Sequence, residues 1–328
     1  MFSTPHAARV LTLIAAVAPL AATAAEPLVW KWEEGESQRY KSTQSMQMTI
    51  NAGPAGKVQT ETETTMAMTW SAKEVKPDDA AVLEQQVERV AMSMQGPMGQ
   101  GMKYDTASDA PPSGMAAMIA PTFEAMVAAP ITLTMLPTGE ITELSLPEEM
   151  TNAMGAMPGG ADMNQMVKQS SQQGFVTFPK EPLEVGQSWT RQATASTPQM
   201  GELVTTTTYT YNGPKEVDGK QLESIGVTLD LDSGKNGGQG QMQMDFNTVS
   251  SDGEILFDRE SGKIVSSRLD AENEITMTMG AQSMTNSMTQ QVRLDAIGAD
   301  EEVDFGAGDE QQEQEQAQQP APAGTGDQ

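Results

Sequence analysis

Methionine is where this sequence concentrates its chemical options. Of 328 residues 25 are Met, none is Cys, and the single His is His6. Five Met-x-Met pairs, Met46/Met48, Met66/Met68, Met92/Met94, Met242/Met244 and Met277/Met279, put two thioethers on one face of an extended chain, about 7 Å apart at a rise near 3.3 Å per residue. Such side chains pack as flexible apolar filler, line a cavity for a greasy ligand, or ligate Cu(I). The spacing alone leaves all three open. The better-placed copper sulfurs are those of the Gly-rich loop carrying Met92, Met94, Met98 and Met102, and the group Met154, Met157, Met163 and Met166. Against copper stand the lack of an assisting histidine and the even spread of Met along the chain.

Other chemistries are removed by composition. Met1 to Ala25 reads as a secretory signal, with Arg9, an apolar run from Val10 to Leu20 and the small-residue end Ala22-Thr23-Ala24. The run is too short to span a bilayer, and no cysteine is present for a lipid anchor. Cleavage takes His6 with it. The mature chain is then expected to lack both His and Cys, which excludes Ser-His-Asp and Cys-His nucleophiles, histidine acid–base catalysis, Cys/His zinc sites and disulfides. Asp230-Leu-Asp232-Ser-Gly-Lys-Asn236 looks briefly like a calcium loop. It fails where Gly234 and Gln241 stand in ligand positions. Nothing singles out two carboxylates for glycoside hydrolysis, and no Walker loop, nucleophile elbow or dinucleotide fingerprint is present. The expectation is a non-enzyme with no cofactor and no metal site.

Lys and Arg number 19 against 45 Asp and Glu, a formal charge of −26. A nucleic-acid or anionic-membrane partner needs a basic face, so neither is expected.

The elements that must position the methionines follow from period-2 alternation rich in Thr, Val, Ile and Met, which predicts half-buried antiparallel strands. Ile225, Val227, Leu229 and Leu231 alternate in the same way, and hairpin turns are predicted at Asn51 to Pro54, Val217 to Lys220, Ser251 to Gly253 and Glu260 to Gly262. Met115, Met118, Ile119, Phe123, Met126 and Val127 recur at helical spacing, giving one helix or two divided at Pro121. The motif Gly35-Glu36-Ser37 answers Gly186-Gln187-Ser188, Lys73-Glu74-Val75 answers Lys215-Glu216-Val217, and Pro137 to Ile141 answers Glu260 to Ile264. Two related units result. The expected organisation is a signal at 1–25, a first β unit at 26–145 with a helical insert near 114–128, a helical connector at 146–175, a second β unit at 176–297 and a disordered acidic Gln/Glu/Pro tail at 298–328.

The segment Phe178-Pro179-Lys180-Glu181-Pro182-Leu183-Glu184-Val185-Gly186-Gln187-Ser188-Trp189, with the repeat and the strand at Lys103 to Thr106, resembles an uncharacterised family of exported bacterial proteins of unknown function. In topological outline the chain is also similar to half-barrel periplasmic lipoprotein carriers. That second resemblance implies a strongly bent sheet with helices on its concave side and transfers no functional residue.

The fold class expected is mainly β with a few helices (α+β), two antiparallel units forming a curved sheet or half-barrel. The function expected is non-catalytic binding of an apolar, lipid-like molecule by an exported protein, periplasmic or extracellular. An envelope structural or assembly role, or Met-based copper binding, are the alternatives. The expected cavity lining is Met46, Met48, Met66, Met68, Trp70, Met242, Met244, Met277 and Met279, with Met118, Phe123 and Met126 as a helical cover.

Overall fold

The computed structural model describes residues 26–51, 56–96, 101–155, 175–197, 201–233, 242–279 and 282–306. The expected signal segment, most of the acidic tail, and Met98, Met157, Met163 and Met166 lie outside them. Alternating, β-branched-rich segments become β1 (Ser37–Asn51), β2 (Lys57–Val75), β3 (Ala81–Gln95), β4 (Gly101–Asp105), β5 (Ile131–Met135), β6 (Ile141–Ser145), β7 (Ser188–Thr197), β8 (Gly201–Val217), β9 (Lys220–Ser233), β10 (Met242–Asp258), β11 (Lys263–Met279) and β12 (Gln282–Ile297). They form one antiparallel sheet in the order β6-β5-β3-β2-β1-β12-β11-β10-β9-β8-β7, with β4 beside β3. The halves are continuous, joined where β1 pairs with β12.

The sheet is strongly curved. Trp30 N donates to Pro137 O in the β5–β6 turn (2.8 Å), and the next residue, Lys31, donates from its N to Gly262 O in the β10–β11 turn (3.3 Å). Five inter-strand steps separate β5 from β11, which in a flat sheet would hold these turns about 24 Å apart at a spacing near 4.8 Å. Two adjacent residues bridge them, so the sheet has rolled around the segment Leu28 to Trp32. Both turns need glycine. Gly139 and Gly262 have φ of +87° and +67°, and a Cβ on either would fall within 2.6 Å of backbone atoms of Val176 or Lys31. The sheet does not close, because β6 and β7 are unpaired edges among the described residues.

The repeat is written in hydrogen bonds. Gly35 N donates to Ala72 O (2.8 Å) and Ala72 N to Glu36 O (2.9 Å); in the second half Gly186 N donates to Tyr211 O (2.7 Å) and Tyr211 N to Gln187 O (2.9 Å). Ser37–Ser71 at 3.0 Å is matched by Ser188–Thr210 at 2.9 Å. Ala72 therefore corresponds to Tyr211 and Trp70 to Tyr209, and each strand carries a bulge directly after, at Ala72/Glu74 and Tyr211/Gly213. This corrects the Lys-Glu-Val match. β8 runs three residues further than β2 beyond the shared bulge before turning, so Lys215 to Val217 have no counterpart in the first half.

That β8–β9 turn is the expected two-residue hairpin, with Asp218 at φ +51° and Gly219 at φ +78°. Ser251 to Gly253 is no turn. It lies inside β10 beside a bulge, and Gly253 is there because a Cβ would fall 2.6 Å from Arg268 O on the neighbouring strand.

α1 (Ala116–Ala128) is one helix with Pro121 inside it, and α2 (Glu148–Gly155) packs on it. Small residues, Ala116, Ala120 and Ala125, are the buried side of α1, whereas Met115 and Met118 are exposed. Ala116 and Ala120 pack with Tyr104, which pairs with Met92. The register places both on the concave face, at the β3–β4 flank.

Candidate functional site

Alternation decides which side chains meet inside the roll. On β1 Tyr40 and Ser42 point inward, and the register sets Tyr40 against Met68 of β2 and Ser42 against Leu294 of β12. Continuing across the sheet, Leu269 of β11 faces Val292, and Tyr209 of β8 faces Val227 of β9. These residues line a half-open cavity of about 370 Å³, completed by Trp70, Gln85, Thr207, Leu229, Ile255, Ile264 and Ser267. Arg268 is also on the wall, but its side chain is exposed and its cross-strand partner is Glu254. It belongs to the convex side.

The roof comes from outside the strands. Trp30, Phe175 and Val176 cover the cavity. Trp30 Nε1 donates to Val176 O (3.1 Å), and Phe178 N donates to Thr138 O (2.8 Å). From the opposite edge, Trp189 Nε1 donates to Thr177 O (2.8 Å) and Arg191 to Thr177 Oγ1 (2.7 Å). Residues 175–178 thus span the gap between the β5–β6 turn and β7. Phe175 meets Trp70 edge-on at 4.5 Å and Trp30 at 6.2 Å.

Arg268 is the one charged residue among those lining the cavity. Lys263, only 5% exposed at its side chain, bonds Glu36 (3.0 Å) and Lys31 O and stands 4.0 Å from the Trp32 ring. Burial holds its ammonium below the ordinary lysine value against the pull of Glu36. Burial pushes the Tyr40 phenol far above the usual tyrosine range, so it stays protonated. The Tyr40 hydroxyl and the indole N–H groups of Trp70 and Trp32 are buried and have no hydrogen-bond partner among the described residues.

Of the expected lining residues the cavity takes Met68 and Trp70. Met66 packs against the same core. Met46 and Met48, on the inward parity of β1, lie half-buried further toward the β1–β2 turn. Met244 and Met277 are half-buried cross-strand neighbours, and Met242 pairs with Met279 at the end of that hairpin. Met46, Met48, Met244 and Met277 thus lie toward the far half of the concave face, away from the roofed end. The helical cover is elsewhere. Met118 is 75% exposed, Phe123 stacks on Tyr104 at 5.7 Å, and Met126 packs with Ile131 and Met150. Sequence reasoning passed over Tyr40, Tyr209 and the roof, although Phe175-Val-Thr-Phe178 before Pro179 is an apolar run in a polar connector. No cluster of three or more carboxylates suited to a metal occurs among the described residues, and no described helix is long and apolar enough to cross a membrane.

A family model described as a family of unknown function, DUF6263, matches residues 78–264, more than half of the chain. The chain belongs to that family. The match runs from the β2–β3 turn to the start of β11 and so takes in Phe175 and Val176 of the roof and the wall residues of β3, β8, β9 and β10, but not Trp30 or the wall residues of β1, β2 and β12. Among curated proteins no match is found. Solved structures with a similar course include lipovitellin, at 13% identity and a TM-score of 0.46, over 84% of this chain and 27% of that one. The chain spans about a quarter of the lipovitellin chain. An outer membrane channel from Pseudomonas putida F1 matches at 6% identity and TM-score 0.21 (82% and 97% of the two chains), and a DUF1329 family protein from Desulfovibrio piger at 8% and 0.13 (80% and 87%).

Proposed function

We propose that this protein is a non-catalytic binder of an apolar, lipid-like molecule, exported to the cell envelope, with the ligand in the roofed cavity. The observation that carries this reading is the roofed concavity itself, a half-open space of about 370 Å³ between eight strands and an aromatic roof. That is the size, and the largely apolar wall with a few polar groups is the character, of small-molecule sites. Export rests on the N-terminal sequence, and the absence of catalysis on the lack of any paired nucleophile and base along the wall.

Displacement of an environment-sensitive naphthylamine dye tests the reading. The protein should bind the dye and long-chain lipids should compete for it. Val292→Phe, which fills the cavity from β12, should abolish uptake while keeping a cooperative melt. Dye binding that is unchanged in this variant would place the apolar site elsewhere.

A further inference from the structure

Arg191 is a half-buried cation that holds only neutral acceptors. One of its amino groups, Nη1, donates to two oxygens of the roof segment, Thr177 Oγ1 (2.7 Å) and Phe175 O (3.3 Å). Its Nε and its second amino group have no partner, and no carboxylate pairs with it, among the described residues. Arg259 and Lys263, in and beside the β10–β11 turn, are by contrast neutralised by Glu223 (2.6 Å) and Glu36 (3.0 Å). A guanidinium carries five donors in a planar fork that matches anionic oxygens, and here most of the fork is unused.

Alternation places Arg191 at the rim of the cavity. It shares the face of β7 with Trp189, and the register sets it against Thr207, at about 5 Å between Cβ atoms. Thr207 is on the wall, and Thr205, the next residue on that face of β8, is beyond it. The charge is felt on the wall as well: burial raises the Tyr209 phenol, and Arg191 opposes the rise. The acids of the neighbouring strands stay on the other face. On β9 Asp230 and Asp232 alternate with Leu229 and Leu231, and on β11 Glu272 and Glu274 alternate with Ala271 and Asn273. Much of the formal charge of −26 is thus turned away from this rim.

Resting on the apolar-binding reading above, we infer that the ligand is an amphiphile with one anionic head, a fatty carboxylate being the simplest case, whose head pairs with Arg191 at the rim. Its chain then runs past Thr207 into the roofed space along Leu229, Val227 and Val292. A bare charge drawn deeper would be costly to bury. At the rim it stays paired with the guanidinium and partly hydrated. Arg268 does not compete for the head, since it lies on the convex side with Glu254 as its cross-strand partner.

Competition against the naphthylamine dye with laurate, methyl laurate and acetate, at pH about 7.5 where a carboxylate is charged, tests this. Laurate should bind roughly 5- to 10-fold more tightly than methyl laurate, the gap between a charge-assisted and a neutral hydrogen bond. Acetate, a head without a chain, should not displace the dye. Arg191→Gln keeps an amide donor for Thr177 and Phe175 but removes the charge, so it should bring laurate down to the methyl laurate value and leave methyl laurate unchanged. Arg191→Lys, which retains a charge without the fork, should fall between. Methyl laurate bound as tightly as laurate by the parent, a result that needs no variant, would overturn the anionic assignment and leave the apolar site standing. Equal weakening of both probes by Arg191→Gln would reduce Arg191 to a tie for the roof and also overturn it. Acetate that displaces the dye as well as laurate does would point to a free anion and overturn the amphiphile. A protein that binds neither dye nor probes would overturn both readings.

Discussion

Gly139 and Gly186 make a matched pair for testing how the roof is held. Both have φ +87°, so alanine at either position meets the same backbone strain, about 1–2 kcal/mol for an L-residue in the left-handed region. Their surroundings differ. A Cβ at Gly186 has nothing within 4 Å, whereas at Gly139 it would lie 2.4 Å from Val176 O and 2.5 Å from Trp30 Nε1. Gly139→Ala must therefore push the roof away, breaking the Trp30–Val176 bond and straining the Phe178–Thr138 bond. At about 1 kcal/mol net for each bond, the total is about 3–4 kcal/mol. For a domain of this size a kcal/mol is about 2–4 °C, so the melting temperature should fall about 6–16 °C for Gly139→Ala against about 2–8 °C for Gly186→Ala. Paired calorimetric melts in one buffer read the difference, and dye affinity should drop in the first variant only. Equal shifts with equal affinities would refute the contact between the β5–β6 turn and the roof.

Met68→Gln should weaken dye binding severalfold by placing an amide on the cavity wall, while Met118→Gln, on an exposed position of α1, should change neither binding nor melting temperature; fluorescence titration and melts check both. Met244→Leu with Met277→Leu should leave dye affinity within about twofold, since these residues lie beyond the roofed end. If Ag(I) raised the melting temperature of the parent but not of this double variant, thioether ligation would displace apolar packing as the reason for the strand methionines; no such rise is expected. Asp258 loses some of its charged form's advantage to burial, but hydrogen bonds from Lys220, Ser261 and the Glu260 N–H more than offset this, holding its carboxyl below its ordinary 3.8. A depressed carboxylate stabilises the fold above its unfolded value and gives up that contribution as pH falls through the folded one. Melts from pH about 6 to 3 should therefore show a smaller acid loss in Asp258→Asn than in the parent, and parallel curves would contradict the assignment.

Strand existence was legible because alternation with β-branched residues is a local signal. The two-residue turn at Asp218-Gly219 was legible for the same reason, since its chemistry lies in the turn itself. Ser251-Asp252-Gly253 misled because a glycine demanded by a neighbouring backbone looks the same in sequence as a glycine demanded by a turn. The repeat was visible at Gly35 and Gly186, but a shared bulge and a longer β8 hairpin displaced the Lys-Glu-Val match, and register of that kind is set by pairing. The cavity was only half legible. Met68 and Trp70 stand on its wall, yet the same alternation continues to Met46 and Met48, and nothing local says where along the inward face a roof will sit. That is decided by non-local bonds from Trp30 and Thr177, made only after the sheet has rolled.

The most direct test of the apolar-binding account is solvent extraction and mass spectrometry of the protein purified from its native host, with Val292→Phe prepared in parallel. The account predicts an apolar lipid in near-stoichiometric amount with the parent and its loss from the variant. Extracts of the two that match, or a parent free of any lipid that also fails to take up dye, would contradict it.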